Sequence, residues 1–317
     1  MTRKMTVPVS GGPKTRKQRF LKALKRDKNL YLMFLPIFVW YIIFCYVPLY
    51  GIVLAFREFV PGAGVFGGKW VGFQYFNQFF STPYFWRVIR NTVLINVYSL
   101  FWGFPVPIIF ALCITEVRNR AVKRAVQTVS YLPYFISTVV VCGMIKQFLS
   151  PTNGIINEII VMLGGNAIDF LNEPEWFRTI YIASDIWQNF GFSSIIYIAT
   201  IGGIDPQLYE AAQVDGITKF KEIWYITLPG LLPLIMMQLL LSLGSILGVG
   251  FQKIYLLYNN LTKEVADVIS TYVYERGIVS NQYSYSTAVG LFQSLIGFVL
   301  TFIANRASKK VTNYGLW

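Results

Sequence analysis

The stretch EAAQVDGITKFKEIWYITLPGLLP, residues 210–233, decides how the rest of the chain is interpreted. Asp205-Pro206 stands shortly before it, where Asp is a favoured N-cap and Pro suits the first helical position. Gly216 can adopt the left-handed conformation that ends a helix. The sequence therefore predicts a helix over about residues 206–215, roughly 15 Å long, with the next apolar segment starting at Pro229.

On both sides of this stretch, long apolar segments alternate with short polar ones. About 20 apolar residues cross the hydrocarbon core of a bilayer as a helix. Six segments reach that length, at about residues 30–56, 87–115, 125–149, 179–203, 229–256 and 284–305. The first is too long to be the apolar part of a cleaved signal peptide. We therefore expect an all-α, polytopic membrane protein with six transmembrane helices.

The composition agrees with a membrane protein. Of the 317 residues, 55% are hydrophobic and only 14% are charged, whereas about 25% of a typical soluble domain is charged. The net charge of +13 does not indicate nucleic-acid binding, because ten of the 28 Lys and Arg residues lie in the first 28 positions. A basic head before the first span is typical of a segment at the inner leaflet.

The side chains present argue against a metal or catalytic centre. The chain has no histidine, which is the commonest metal ligand and general base. Cys45, Cys113 and Cys142 fall in apolar segments and are interpreted as small buried apolar side chains. Gly67-Gly68-Lys69 lacks the earlier glycine and the following Ser or Thr of a phosphate-binding loop. We therefore expect no cofactor in this chain, and ATP hydrolysis, if involved, would belong to another polypeptide.

Loop charge predicts the orientation. With the N-terminus inside, the cytoplasmic segments hold 19 Lys and Arg residues and the outer segments hold five. Since positive loops stay on the cytoplasmic side, both termini are expected in the cytoplasm. The predicted division is a basic cytoplasmic head at 1–28, a transmembrane domain at 29–306 that contains the loop 204–229, and a cytoplasmic tail at 307–317.

The basic head has two possible interpretations. Phe20, Leu21 and Leu24 share one helical face among basic residues, which predicts an amphipathic anchoring helix at about 15–27 on anionic lipid. The alternative is a head that acts only as a positive-inside signal.

The stretch at 210–233 fits the spacing E-A-A, three residues, G, nine residues, I-x-L-P at every position. This resembles the signature loop of ATP-binding-cassette (ABC) importer permeases, although a generic capped loop is the alternative. Other motifs resemble the carbohydrate-uptake branch of type I importers, near permeases for complex oligosaccharides. They are Pro48-Leu49-Tyr50-Gly51, Trp70-Val71-Gly72-Phe73 and Tyr131-Leu132-Pro133-Tyr134.

The resemblance implies the type I ABC importer permease fold in a bacterial cell (inner) membrane. It implies a second related permease subunit, two ATPase subunits that bind ATP and Mg, an extracellular or periplasmic solute-binding protein, an oligosaccharide substrate, membrane lipids and no nucleic acid. This chain would form half of the translocation pathway and would break no bond. Its short helix, at 206–217, would enter an ATPase subunit through Glu210, Ala211, Ala212, Asp215 and Gly216. Alternating access would follow from ATP binding and hydrolysis in the partner.

Polar side chains recur in the fourth and fifth segments, where exposure to lipid would be costly. They are Asp185, Trp187, Gln188, Asn189, Ser193, Ser194 and Tyr197, then Gln238, Ser242 and Gln252. Such groups suit sugar hydroxyls and ring faces, but they could instead satisfy one another in helix packing. Asn189, Tyr197 and Gln238 lie deep in their predicted spans and are predicted to line the substrate pathway. Asp185 and Lys146 could pair as a structural ion bridge.

Two other function classes remain open at this point. A membrane-embedded transferase would need an acidic or histidine cluster at the membrane face, but the acidic residues are scattered. An ion-driven secondary transporter would normally show an internal repeat and buried ionisable groups at mid-membrane, and neither is evident in the sequence.

Overall fold

The protein is described by a computed structural model that covers residues 26–244, 247–248, 250–312 and 315, and this part of the chain is mainly helical. The α-helices are α1 Lys28–Tyr41, α2 Gln74–Ser81, α3 Phe85–Tyr98, α4 Pro105–Thr115, α5 Arg120–Tyr131, α6 Thr138–Phe148, α7 Ile155–Met162, α8 Pro174–Ile201, α9 Pro206–Val214, α10 Lys219–Glu222, α11 Leu228–Gly244, α12 Phe251–Leu257, α13 Lys263–Ala266, α14 Ile269–Tyr274 and α15 Tyr283–Thr312. π-helical segments lie at Ile42–Tyr46, Ser99–Gly103, Ile223–Thr227 and Glu275–Val279, and 3-10 segments at Val47–Phe56 and Leu132–Phe135. The expected all-α class is confirmed.

The chain divides by its contacts into two units, residues 1–53 and 54–317. In the first unit, the described residues form α1 and its continuation, and large apolar side chains such as Met33 and Phe44 are exposed. A helix that is apolar all round is typical of a membrane span. The predicted anchoring helix at 15–27 lies almost entirely outside the described residues. The predicted boundaries at 28 and 306 stay predictions.

Four described helical stretches are long and apolar enough to cross a bilayer, namely Lys28–Phe56, Phe85–Thr115, Lys219–Gly244 and Tyr283–Lys310. A fifth results if the bent pair Arg120–Phe135 and Thr138–Phe148 is one span. The 28-residue α8 has the length of a sixth, and its polar side chains lower its hydropathy. The six expected spans are therefore approximately matched.

Two predicted spans are not continuous. The segment 125–149 bends by 99° between Phe135 and Thr138, because Pro133 cannot donate a backbone hydrogen bond and Ser137 caps the next helix. The segment predicted at 229–256 ends as α11 at Gly244, and α12 starts only after Gly250. The described residues Gly248 and Gly250 lie outside both helices, as expected because glycine weakens a helix interior.

The helix α8 lies at the centre of the second unit, since it packs against α4, α5 and α11. Ile108, Ala111, Tyr197 and Leu231 form one buried cluster between these helices. At Gly191, an added Cβ would lie 2.0 Å from the Ser130 backbone oxygen, so only glycine permits this approach of α5. Of the polar candidates on α8, Gln188, Ser194 and Tyr197 are buried in the bundle.

Not every predicted buried side chain is buried. Cys142 is buried, but Cys45 and Cys113 are exposed. Their helices present apolar faces to the outside of the chain, as expected of a protein whose surroundings include lipid. Gly244 of α11 approaches Thr301 of α15, so the absence of a side chain at this position allows close packing within the chain.

Candidate functional site

Asn189, Tyr197 and Gln238, the three residues predicted to line a pathway, share one cavity. It has a volume of about 390 Å³ and lies between α8, α11 and the start of α4. Its other polar lining residues are Ser99, Asp185, Ser193 and Ser242. The structure therefore brings together polar groups from helices that are distant in sequence. Contact of these residues with a substrate stays a prediction.

Some of the polar groups also satisfy one another. The Asn189 amide nitrogen donates to the Asp185 carbonyl oxygen at 3.0 Å and to its carboxylate at 3.1 Å. Ser194 donates to the Gly191 carbonyl oxygen within the same helix. Gln188 donates to the Ile136 carbonyl oxygen at 3.0 Å, at the break in the bent span. Helix packing thus explains Ser194 and Gln188, whereas Asn189 has both a packing contact and a cavity position.

A second cavity, of about 650 Å³, shares Asp185 and Asn189 with the first. Its other walls are the bend at Tyr134-Phe135 and the segment that opens α12. Lys253 lies here, with its Nζ atom 3.5 Å from the Asp185 carboxylate. The prediction that Asp185 pairs with Lys146 is therefore wrong. The break before α12 places Lys253 within ion-pair distance of Asp185 instead. The only sequence signal was a lysine inside an apolar segment.

The local geometry of α9 agrees with its predicted capping. The Asp205 carboxylate accepts from the Gln207 backbone nitrogen at 3.0 Å, and Pro206 occupies the first turn. Gly216 has φ +67°. The Gly216 nitrogen donates to the Gln213 carbonyl and the Ile217 nitrogen to the Ala212 carbonyl, which is a complete Schellman motif. The predicted helix and both its end signals are confirmed.

The surface of α9 is uneven. Glu210, Ala211, Asp215 and Gly216 are exposed. Ala212 is only 4% exposed. The expectation that Ala212 offers a thin surface to another protein is therefore corrected, because its methyl group faces the chain's own interior. Four of the five predicted contact residues form an accessible surface, and the fifth seats the helix.

The loop after α9 is held by a few polar contacts. The Tyr209 and Thr227 hydroxyls lie 3.1 Å apart. The Lys219 Nζ atom lies 2.6 Å from the buried Glu222 carboxylate and 3.7 Å from Glu116, at the end of α4. These contacts join α9 and its loop to the ends of two spans. Tyr209 thus connects α9 to the residues that lead into α11, and Lys219 connects the following loop to the end of α4.

No group of three or more metal-ligating side chains that could hold an ion is found among the described residues. The expected absence of a cofactor stays a prediction.

The chain matches, over residues 103–313, the family described as "Binding-protein-dependent transport system inner membrane component". The match covers more than half of the chain and includes α9, the 650 Å³ cavity and the lining residues of the first cavity other than Ser99. The chain belongs to this family, so it is a membrane-spanning permease component of an ABC transport system.

Two relatives and one solved structure are similar over nearly the full length of the chain. The chain is 43% identical, over 96% of its length and 95% of the relative's, to the "Polygalacturonan/rhamnogalacturonan transport system permease protein YteP" of Bacillus subtilis (strain 168). It is 42% identical to "Protein LplB" of the same organism, over 94% of each chain. A solved bacterial ABC transporter "involved in the import of the acidic polysaccharide alginate" has a chain that is 45% identical, with a TM-score of 0.86 over 93% of this chain and 99% of that one. The type I ABC importer permease fold is thereby shown.

Proposed function

We propose that this chain is one permease subunit of an ATP-driven importer, and that it forms half of a translocation pathway for an oligosaccharide. The observation that carries the proposal is α9, an exposed helix closed by Asp205 and Gly216. A short loop, residues 202–205, connects it to the end of α8, and polar residues of α8 line the cavities. An exposed helix at this place can bind a partner subunit, and movement of that partner can then shift the helices of the bundle.

The partner at α9 is a separate ATPase subunit that binds ATP and Mg²⁺. Glu210, Ala211 and Asp215 form its contact surface, and Ala212 seats the helix against the chain. Two such subunits act on a pair of related permeases, with both termini of this chain on the ATPase side. Closure of the ATPases displaces α9, and the contacts of Tyr209 and Lys219 transmit the movement to the spans. This chain hydrolyses nothing itself.

Relatives support the substrate class. The names of two similar proteins give polygalacturonan or rhamnogalacturonan and alginate as what they transport. A related solved complex includes an "alginate pentasaccharide-bound periplasmic protein", which supports delivery by a solute-binding protein. A cavity of about 390 Å³ falls within the range of about 300–1,000 Å³ that is usual for small-ligand sites. Asn189, Tyr197 and Gln238 are proposed to contact the sugar as it passes.

The variant Ala211→Trp tests the role of α9. A large side chain at this exposed position should block docking without disturbing the bundle. We expect the purified permease to lose its co-purifying ATPase, and sugar-stimulated ATP hydrolysis in vesicles to fall at least about tenfold, since the loss of a few contacts at an interface centre changes affinity by that much.

Leu163→Trp is the matched control, because Leu163 is 83% exposed in the loop after α7. It should retain the ATPase and full uptake. Uptake by the wild-type complex should continue in the presence of an ionophore, which separates this function from an ion-driven transporter. Unchanged ATPase binding and coupling in Ala211→Trp would refute the assignment of α9.

A further inference from the structure

We propose that the 650 Å³ cavity is a binding site for the carboxylate of an acidic sugar unit, with Lys253 as its anion receptor and Asp185 as the counter-ion that the substrate displaces. The cavity lies between the bent span, α8 and α12. This inference rests on the proposed transport of an oligosaccharide and specifies its chemical class. It concerns Lys253, whose place in the site could not be read from the sequence.

The state of Lys253 carries the proposal. The residue is only 4% exposed, and its Nζ atom is buried without any hydrogen-bond partner. A buried ammonium group normally has both a counter-charge and hydrogen-bond acceptors, because desolvation is costly. Lys253 has a counter-charge, 3.5 Å away at Asp185, and the Tyr181 ring, with its centroid 5.8 Å away, but no hydrogen-bond acceptor. Its three donors are therefore suited to an acceptor that enters the cavity.

The exposure of Asp185 allows its carboxylate to be displaced from Lys253. Its side chain is 42% exposed, in contrast to 5% for that of Lys253. An exposed carboxylate is stabilised by water when it leaves its partner, whereas the buried lysine is not. A sugar carboxylate can therefore replace Asp185 at Lys253, and Asp185 restores neutrality when the sugar leaves. The exchange keeps the site charge-balanced both with and without substrate.

The rest of the cavity wall suits a sugar ring. Phe135 is 72% exposed at the bend, and Tyr134 is held in place by stacking on Phe192 with ring centroids 3.9 Å apart. Aromatic faces cover the C–H surfaces of sugars, and the amide of Gln252 lines the same cavity. Ser137, the N-cap of α6, and Thr138, its first residue, also line the cavity, so the positive end of this 11-residue helix adds to the field of Lys253.

The test measures equilibrium binding of trigalacturonate and of its neutral methyl ester to the assembled permease–ATPase complex in lipid nanodiscs, without the solute-binding protein. The wild type should bind the acid about tenfold more tightly than the ester, as expected of a charge-assisted contact. Lys253→Met should abolish this preference and leave ester binding unchanged. Asp185→Asn removes the competing counter-ion and should tighten binding of the acid.

Lys146→Met is the control, since Lys146 lies on α6 but does not line the cavity, and this variant should leave both affinities unchanged. A preference for the acid that survives Lys253→Met would overturn the proposal. Should that variant fail to assemble, unchanged or weaker binding of the acid in Asp185→Asn would overturn it instead. ATP-driven uptake of sugar by the wild type is measured in parallel. If the wild type takes up sugar but Lys253→Met keeps the preference for the acid, this inference alone is refuted. If the wild type takes up no sugar, the proposed function is refuted.

Discussion

The two ends of α8 differ in their surroundings: buried polar contacts hold one end, and the exposed helix α9 follows the other. This helix is 28 residues long, so its ends are about 40 Å apart. The N-terminal end meets what we call the buried network, formed by Arg87 and Asn91 of α3, Arg178 of α8, and Asp267 and Thr271 around α14. The C-terminal end leads into α9, which is exposed and held by a few contacts.

In the buried network, most donors meet a buried acceptor. Arg87 contacts the Asp267 carboxylate at 3.0 Å, and Thr271 donates to its other oxygen at 2.8 Å. The Asn91 amide donates to the carbonyl oxygens of Glu264 and Asp267, while its own oxygen accepts from Arg178. The segment 264–271 is thereby fixed to α3 and α8. The N-terminal end of α8 is thus fixed by buried polar contacts, whereas the proposed partner would act beyond its C-terminal end, at the exposed helix α9.

Breaking the buried network should produce the largest effect. Arg87→Met leaves the Asp267 carboxylate, only 1% exposed, without its counter-charge. Such a loss typically costs about 3–5 kcal/mol. We expect a marked fall in the melting temperature of the purified complex and in its yield. Glu264→Gln alters an exposed side chain in the same segment and should behave as the wild type.

The effect of Arg87→Met should also depend on pH. Burial raises the pKa of Asp267, although hydrogen bonds from Thr271 and Arg87 oppose the rise. A carboxyl group with a raised pKa in the folded state destabilises that state as pH rises through this pKa. The stability deficit of the variant should therefore be full at neutral pH and shrink on acidification. A deficit that grows as pH falls would contradict the role given to Asp267.

At the loosely held end, Gly216→Val should cost less stability but more function. An added Cβ at Gly216 meets nothing within 4 Å, so the penalty comes from φ +67° alone and is about 1–2 kcal/mol. We expect the bundle to remain folded while sugar-stimulated ATP hydrolysis falls. Gly216→Asn is the control, because Asn tolerates this conformation, and it should keep most of the coupling. Equal activity of the two variants would show that the helix end does not matter.

Tyr197→Phe tests whether the interior between the two ends belongs to the pathway. Tyr197 is 3% exposed and packs on Ile108 and Leu231. Removal of its hydroxyl should leave assembly intact and lower the rate of sugar uptake severalfold. This factor corresponds to the loss of one hydrogen bond to the sugar, which is worth about 1 kcal/mol. Normal uptake in the assembled complex would leave Tyr197 as a packing residue.

The smallest effect on stability is expected at the ion pair between Lys263 and Glu275, near the buried network. Lys263 lies 2.6 Å from Glu275, and both side chains are about 30% exposed. Burial opposes ionisation of Glu275, but the hydrogen bonds from Lys263 and Tyr258 and the nearby positive charges leave its pKa lowered. A lowered pKa contributes stability above the ordinary value, which is lost as pH falls through the folded-state pKa. Glu275→Gln should thus cost about 0.2–1 kcal/mol near neutral pH and nothing in strong acid, as measured by thermal unfolding.

The sequence by itself determined α9 in detail. Asp205, Pro206 and Gly216 act on the backbone within a few residues, so their effect does not depend on the rest of the fold. The apolar segments were also predictable, because length and hydropathy are local properties. The choice of Asn189, Tyr197 and Gln238 succeeded in placing them on one cavity, since polar side chains inside a span tend to turn away from lipid.

Only the tertiary structure decided what meets across the bundle. The break before α12 moved Lys253 to Asp185 in place of Lys146, and the seating of α9 buried Ala212. The bend at Pro133 opened the cavity that Lys253 lines. The network at Asp267 joins residues more than 170 positions apart. Contacts of this kind depend on where each helix bends and how far it rotates, and those are set by packing between helices, which local sequence signals do not encode.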